Sequence, residues 1–136
     1  MGRVVERTRA SGTWTEARWT SFVKSALRGA SRKWKPKNDC LRKARVSRGI
    51  YKCACCGGEF PKHTIENGKK VNNANVDHIK PVIDPATGFT TWDDYIENLF
   101  CEEENFQVLC HGCHEIKTNE EKAIAAERRK NEKSKS

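Results

Sequence analysis

Two pairs of cysteines, Cys53-Ala-Cys-Cys56 and Cys110-His-Gly-Cys113, stand 57 positions apart in a chain of 136 residues. Two intervening residues make a tight knuckle that wraps one side of a tetrahedral zinc. Two knuckles around one ion require the fold to bring residues 53–56 and 110–113 together. Gly57 and Gly58 relieve the backbone where the first knuckle turns back beneath the metal. Cys55 stands inside the first pair, but Cys55 and Cys56 are adjacent and do not make the two-residue knuckle. Cys53, Cys56, Cys110 and Cys113 are therefore the expected ligands of a structural Zn²⁺. Cys40 and Cys101 lack partner spacing and read as small buried hydrophobes.

Seven cysteines without a secretory leader argue for reduced thiols and a cytoplasmic location rather than a disulfide framework. The opening residues, MGRVVERTR, carry no apolar core of a signal peptide, and Glu6 stands where myristoylation requires Ser or Thr. Apolar residues make up 36% and charged residues 32%, with no apolar run long enough to span a bilayer. A core this modest gains from a metal staple.

Charge is unevenly spread. Residues 1–50 hold fourteen Lys and Arg against three Asp and Glu, whereas residues 51–110 hold five against ten. A basic arm beside an acidic middle suggests a polyanion-binding region joined to a cation-holding one. Within the arm, Thr13 and Glu16 fit a capping box. Trp19, Phe22, Val23, Ala26 and Leu27 follow a helical stripe read as packing, and Gly29 is a stop. Residues 32–37 read as a basic linker, because Pro36 forbids a continuous helix. A second helix capped by Asn38 or Asp39 runs through Cys40, Leu41, Ala44 and Val46 to Gly49. Arg18, Arg28, Arg32, Lys33, Lys35, Lys37, Arg42, Lys43 and Arg45 are the candidate phosphate contacts, with a solvated basic face as the alternative.

Beyond Ile50, Tyr51–Cys53 reads as a strand, Glu66-Asn-Gly68 as a turn, and Val71–Val76 as a strand entering Asp77-His78. Residues 84–104 form an acidic insertion with a short helix from Thr91. Phe106–Leu109 reads as another strand and His111–Lys117 as a short helix. Thr118-Asn-Glu-Glu121 looks like a capping box opening a further helix, with a fraying tail after Arg128. His111 on the knuckle and His63 read as exposed. The run Glu102–Glu104 is taken as solvated.

Between and within the cysteine pairs lie Asp77-His78, Asn105 and His114. Phosphodiester hydrolysis needs an attacking water, a base, and positive charge on the developing oxyanions. The ordinary pKa of histidine suits His78 to the base role. Asp77 and His114 could hold a hard divalent cation with open positions, Mg²⁺ or Mn²⁺. Asn105 does not titrate, but its amide could orient the base. His114 directly follows Cys113, so the zinc scaffold would present a ligand of the second metal.

Val76-Asp77-His78-Ile79-Lys80-Pro81-Val82, followed by Asn105-Phe-Gln-Val-Leu-Cys110-His-Gly-Cys113-His114-Glu-Ile-Lys117-Thr118, resembles the HNH endonuclease family. The flanking cysteines match its zinc-containing subgroup, and the likeness spans roughly residues 50–118. The insertion Gly88-Phe-Thr-Thr-Trp-Asp-Asp-Tyr-Ile, with Leu99-Phe-Cys101, looks like free-standing HNH proteins of tailed bacteriophages. The resemblance implies a small α+β fold: a ββα-metal (His-Me finger) core stapled by a four-cysteine zinc site. A basic helical arm would occupy 1–49, the nuclease domain 50–118, and a C-terminal helix and charged tail 119–136.

It further implies that His78 activates water, Asp77 and His114 bind the catalytic metal, and Asn105 orients His78. Cleavage would fall between the 3′ oxygen and phosphorus, leaving a 5′ phosphate. The long insertion departs from the compact pattern, and Asn98 is the weaker alternative to Asn105. DNA is the expected partner, bound with little sequence specificity; a phage-encoded chain would act in the host cytoplasm. Alternatives are a non-catalytic zinc module that binds nucleic acid, and an accessory to a phage DNA-packaging machine working with a terminase-like partner. Nicking against double-strand cutting, DNA against structured RNA, and monomer against homodimer stay open.

Overall fold

The computed structural model describes residues 4–134; the expectations for the first three residues and for the last two of the tail lie outside the described residues. The described residues form a small α+β fold, with four α-helices and several small antiparallel sheets. It divides into two compact units, one ending at Lys33 and the other beginning at Trp34. No helix among the described residues is long and apolar enough to cross a membrane.

In the first unit, β1 (Arg7–Arg9) pairs with β2 (Trp14–Thr15) and leads into α1 (Glu16–Ser31). The hairpin was not legible in the sequence. Its turn places Ala10, Ser11 and Gly12 at positive φ, so Thr13 lies inside the turn and its hydroxyl donates to the Ala10 carbonyl at 2.6 Å. The N-cap is therefore Thr15, which accepts from the Arg18 N–H at 3.2 Å, and Glu16 binds Thr8 and Arg9 instead of closing a capping box. The helix passes Gly29. Phe22 is 58% exposed but meets Trp14 edge to face, ring centroids 5.2 Å apart, so the stripe of α1 packs without being fully buried.

The second unit opens with α2 (Lys35–Ala44). Pro36 stands in its first turn, where the N–H groups have no intrahelical partner to lose, so the expected linker is already helix by residue 35. The helix ends before Val46, which enters β3 (Arg45–Ser47). β3 pairs with β4 (Ile50–Lys52), and β4 with β5 (Glu59–Pro61). Asn67 and Gly68, both at positive φ, make the two-residue turn between β6 (His63–Glu66) and β7 (Lys69–Asn72). The strand expected over 71–76 is thus two, broken at Asn73. The second, β8 (Asn75–His78), pairs antiparallel with β9 (Phe106–Leu109), placing Asp77 opposite Gln107 and His78 opposite Phe106.

Between β8 and β9 the acidic insertion carries α3 (Trp92–Leu99), capped by Thr91 as expected. Tyr95 and Leu99 are each 1% exposed, and Phe106 and Val108 are buried as well. Phe89, Trp92 and Tyr95 stack on one another, edge to face or tilted. A second cluster gathers Cys53, Leu109 and Cys110, with Phe60 and Cys113 against it.

Helix α4 runs unbroken over His111–Ser134. The capping box at Thr118 does not start a new helix, and the chain stays helical past Arg128 to Ser134: no Gly or Pro interrupts residues 113–134, and Ala, Glu, Lys and Arg dominate the continuation. The far half is tied down where Arg128 donates to the Pro85 carbonyl at 3.2 Å. A Cβ at Gly88 would stand 2.6 Å from that guanidinium, the flexible end of a side chain, and Gly88 takes φ +81°, a conformation that favours glycine.

Candidate metal centre and active site

The first knuckle is built by backbone bonds. Cys53 N–H donates to the Gly58 carbonyl at 2.9 Å and Gly57 N–H to the Cys53 carbonyl at 3.0 Å. Gly57 takes φ +73°, and Gly58 N–H donates to the Cys56 sulfur at 3.4 Å. Ala54 N–H reaches the Val108 carbonyl at 2.8 Å, fastening the knuckle to β9, whose chain continues directly into the second knuckle. The sulfurs of Cys53, Cys56, Cys110 and Cys113 all lie within 4.8 Å of one another, and those of Cys56 and Cys110 are 4.0 Å apart. A tetrahedral site with Zn–S bonds of about 2.3 Å needs sulfurs about 3.8 Å apart. The four cysteines can hold a metal such as zinc.

The surroundings of the four thiols shift their proton affinities in different directions. Burial opposes ionisation of Cys53, but N–H donors of Cys110, Cys56 and Cys55 outweigh it and bring the thiol down to about 6. Burial and the Cys53 charge push Cys110 up. Bonding to Cys110, then burial and the thiols of Cys53, Cys55 and Cys56, push Cys113 up strongly. Four neighbouring thiolates are stable together only around a cation. Cys40 and Cys101 are half-buried, not fully enclosed.

Asp77 and His78 end β8. Gln107 donates to Asp77 Oδ2 at 3.2 Å across the ladder, and Lys117 on α4 donates to the same oxygen at 2.5 Å. Lys117 also donates to the His78 carbonyl at 2.6 Å. The imidazole of His78 packs against Phe106, ring centroids 4.7 Å apart, and its Nε2 lies 3.0 Å from the Leu99 carbonyl oxygen. A carbonyl only accepts, so this contact assigns the ring proton to Nε2 and the basic lone pair to Nδ1.

Asn105 acts on the segment after His78. Its backbone carbonyl accepts from Ile79 N–H at 2.8 Å. Its side-chain oxygen accepts from Lys80 N–H at 2.9 Å and its amide donates to the Lys80 carbonyl at 3.2 Å. The Leu99 carbonyl thus faces the imidazole Nε2, while the Asn105 side chain clamps the chain at Lys80, two residues beyond His78. Asn98 donates to the Val82 carbonyl at 3.2 Å and serves the insertion. His114 is half-buried on α4, one turn before Lys117 and on the same face. Asp77, His78 and His114 do not close into a three-ligand group as tight as the cysteines among the described residues.

Asn73, Gln107 and Lys117 carry weight that the sequence reading missed. Asn73, 4% exposed, accepts from His111 N–H at 3.1 Å and so caps α4 from 38 residues away. Its amide meanwhile binds Thr64 and Pro61. His111 is half-buried beside Glu66 and Glu115, while His63 is exposed as expected.

Several basic candidates have partners within the chain. The Arg18 guanidinium lies 4.2 Å from the Trp14 ring centre. Lys35 and Arg42 both pair with Asp39, Lys43 pairs with Glu103 at 2.7 Å, and Arg45 donates to the Ser47 carbonyl. Arg28, Arg32 and Lys33 are exposed at and just beyond the end of α1, and Lys37 is half-buried in the first turn of α2. Comparison of the chain with protein-family models, with curated proteins and with solved structures finds no match.

Proposed function

We propose that the protein is a metal-dependent endonuclease of the HNH type, cutting DNA with little sequence preference. The observation that carries this reading is the pairing of β8 with β9 and the return of α4 onto it: a two-stranded hairpin and a helix that meet at Asp77-His78. That is the order of elements a ββα-metal core requires.

In this reading the four cysteines hold structural Zn²⁺, and Asp77 with His114 holds Mg²⁺ or Mn²⁺. One carboxylate oxygen and one imidazole nitrogen suit such an ion, and Asp77 already gathers positive charge through Lys117. When bound, the ion supplies charge stabilisation at the scissile phosphate and the leaving oxygen. His78 Nδ1 takes a proton from the attacking water, while the Leu99 carbonyl, bonded to Nε2–H, holds the ring in the tautomer that leaves Nδ1 basic. The water oxygen bonds to phosphorus, the bond to the 3′ oxygen breaks, and a 5′ phosphate remains. Basic residues of α1 and α2 supply salt-sensitive phosphate contacts; exposed ion pairs such as Lys43–Glu103 are weak enough to exchange for phosphate.

The test is cleavage of supercoiled plasmid with Mg²⁺ or Mn²⁺ by wild type and H78A, each first shown to hold about one zinc. Relaxed or linear product from wild type alone supports the reading. The occupation of Asp77 by Lys117 favours a second one, a zinc module that binds nucleic acid without cutting it; equal inactivity of both proteins, with DNA and zinc bound, would establish that instead.

A further inference from the structure

Three acceptors converge on the ammonium of Lys117: Asp77 Oδ2 at 2.5 Å, the His78 carbonyl at 2.6 Å and Glu121 at 3.1 Å. The side chain is 24% exposed and those of Asp77 and Glu121 are 16% and 33% exposed, so the cluster is only partly screened by solvent. Two carboxylates and a carbonyl oxygen around one positive charge form the kind of oxygen shell that hard cations seek. Here a cation from the chain itself fills it.

From this arrangement we propose that Lys117 is a resident counter-ion that competes with the divalent cation for Asp77 and thereby sets the affinity and ion preference of the site. The inference rests on the reading of Asp77 as a cation ligand. An ammonium bonded to one oxygen of a carboxylate stands within a few ångströms of any ion on the other, and like charges at that range repel strongly where water is partly excluded. Lys117 also has somewhere to go. Glu121 lies one turn along α4, and the flexible four-carbon stem of lysine lets the ammonium withdraw toward it without moving the helix. Divalent ions that bind carboxylate strongly displace the ammonium; ions that bind it weakly do not. Lys117 is thus a positioning residue when the site lacks its ion, holding Asp77 and the His78 peptide in place, and a threshold against weak binders when the ion arrives.

The experiment titrates Mn²⁺ alone into the zinc-loaded full chain and reads free Mn²⁺ by electron paramagnetic resonance, for wild type, K117Q, E121Q, K117Q/E121Q and D77N. Removing the competing charge should tighten Mn²⁺ binding about tenfold in K117Q. E121Q should weaken binding more with Lys117 present than in the K117Q background. Acetylation of Lys117 in wild type, followed by mass spectrometry, should speed up when Mg²⁺ is added, and this measurement decides the matter if K117Q does not fold. Unchanged or weaker Mn²⁺ binding in K117Q, equal E121Q effects in the two backgrounds, or slower labelling with Mg²⁺ overturns the competition. Loss of binding in D77N alongside any of these leaves the nuclease reading standing; equal binding by D77N and wild type removes Asp77 as a ligand and takes both down.

Discussion

The imidazole of His78 is held by the main chain of Leu99, 21 residues away, at 3.0 Å. Leu99 is one of the most deeply buried residues of the core, so the residue that packs the insertion also aims the ring. L99A should cost about 2–5 kcal/mol of stability. It should also lower plasmid cleavage well below what its loss of folded protein explains, because the helix end bearing the carbonyl relaxes into the cavity. Thermal unfolding and cleavage measured below the melting transition separate the two effects.

Zinc is expected at one equivalent per chain. C110S should lose the metal and the cooperative unfolding transition together, because thiols from both knuckles pack in one small cluster with Leu109 and structural zinc contributes about 10–16 kcal/mol in small metal-dependent folds. C55S should keep its zinc. Metal content by mass spectrometry, with circular dichroism before and after a chelator, checks both.

N105A removes two side-chain bonds to Lys80 that fix the chain after His78. A loss of about 1–3 kcal/mol is expected, with a fall in cleavage and little change in DNA affinity. N98A, which releases the Val82 carbonyl, should leave cleavage near wild type. Side-by-side denaturant titration and nicking assays distinguish these two asparagines.

Cys40 supplies a pH prediction. Burial first, and the Glu103 carboxylate second, push its thiol above the ordinary 9.0, while Lys43 opposes them. The thiolate is the reactive form, so Cys40 should alkylate slowly at neutral pH and faster only as pH climbs past 9. E103Q lowers the folded pKa and should bring that rise to lower pH. Site-resolved alkylation of the zinc-loaded protein, with exposed Cys55 as the internal comparison, reads the effect.

Legibility in the sequence followed the range of the interaction. Local signals survived: the knuckle spacing with Gly57 and Gly58, the Asn67-Gly68 turn, the Thr91 cap, and the strand before Cys110. Local signals also misled where a distant partner overruled them. Thr118 looked like a helix start, yet α4 begins at His111 because Asn73, 38 residues upstream, caps its first N–H. Pro36 looked like a break but falls in a first turn that tolerates it. At the candidate site, residue types pointed to Asp77, His78, Asn105 and His114. Side-chain geometry adds Gln107 and Lys117, whose meeting with Asp77 depends on strand register and on the angle of α4, neither of which spacing encodes.

The long interval between the two halves of each pairing has a consequence for synthesis. The first knuckle and β8 are both translated well before their partners, Cys110–Cys113 and β9. A chain stopped anywhere in the insertion carries His78 on a strand with no neighbour and two thiols facing an empty half-site. The ladder that pairs β8 and the second two of the clustered cysteines arrive within the same eight residues, 106 to 113. Chains stopped in the insertion therefore cannot pair β8 or complete the four-cysteine cluster, and both are completed only as the chain enters its last helix.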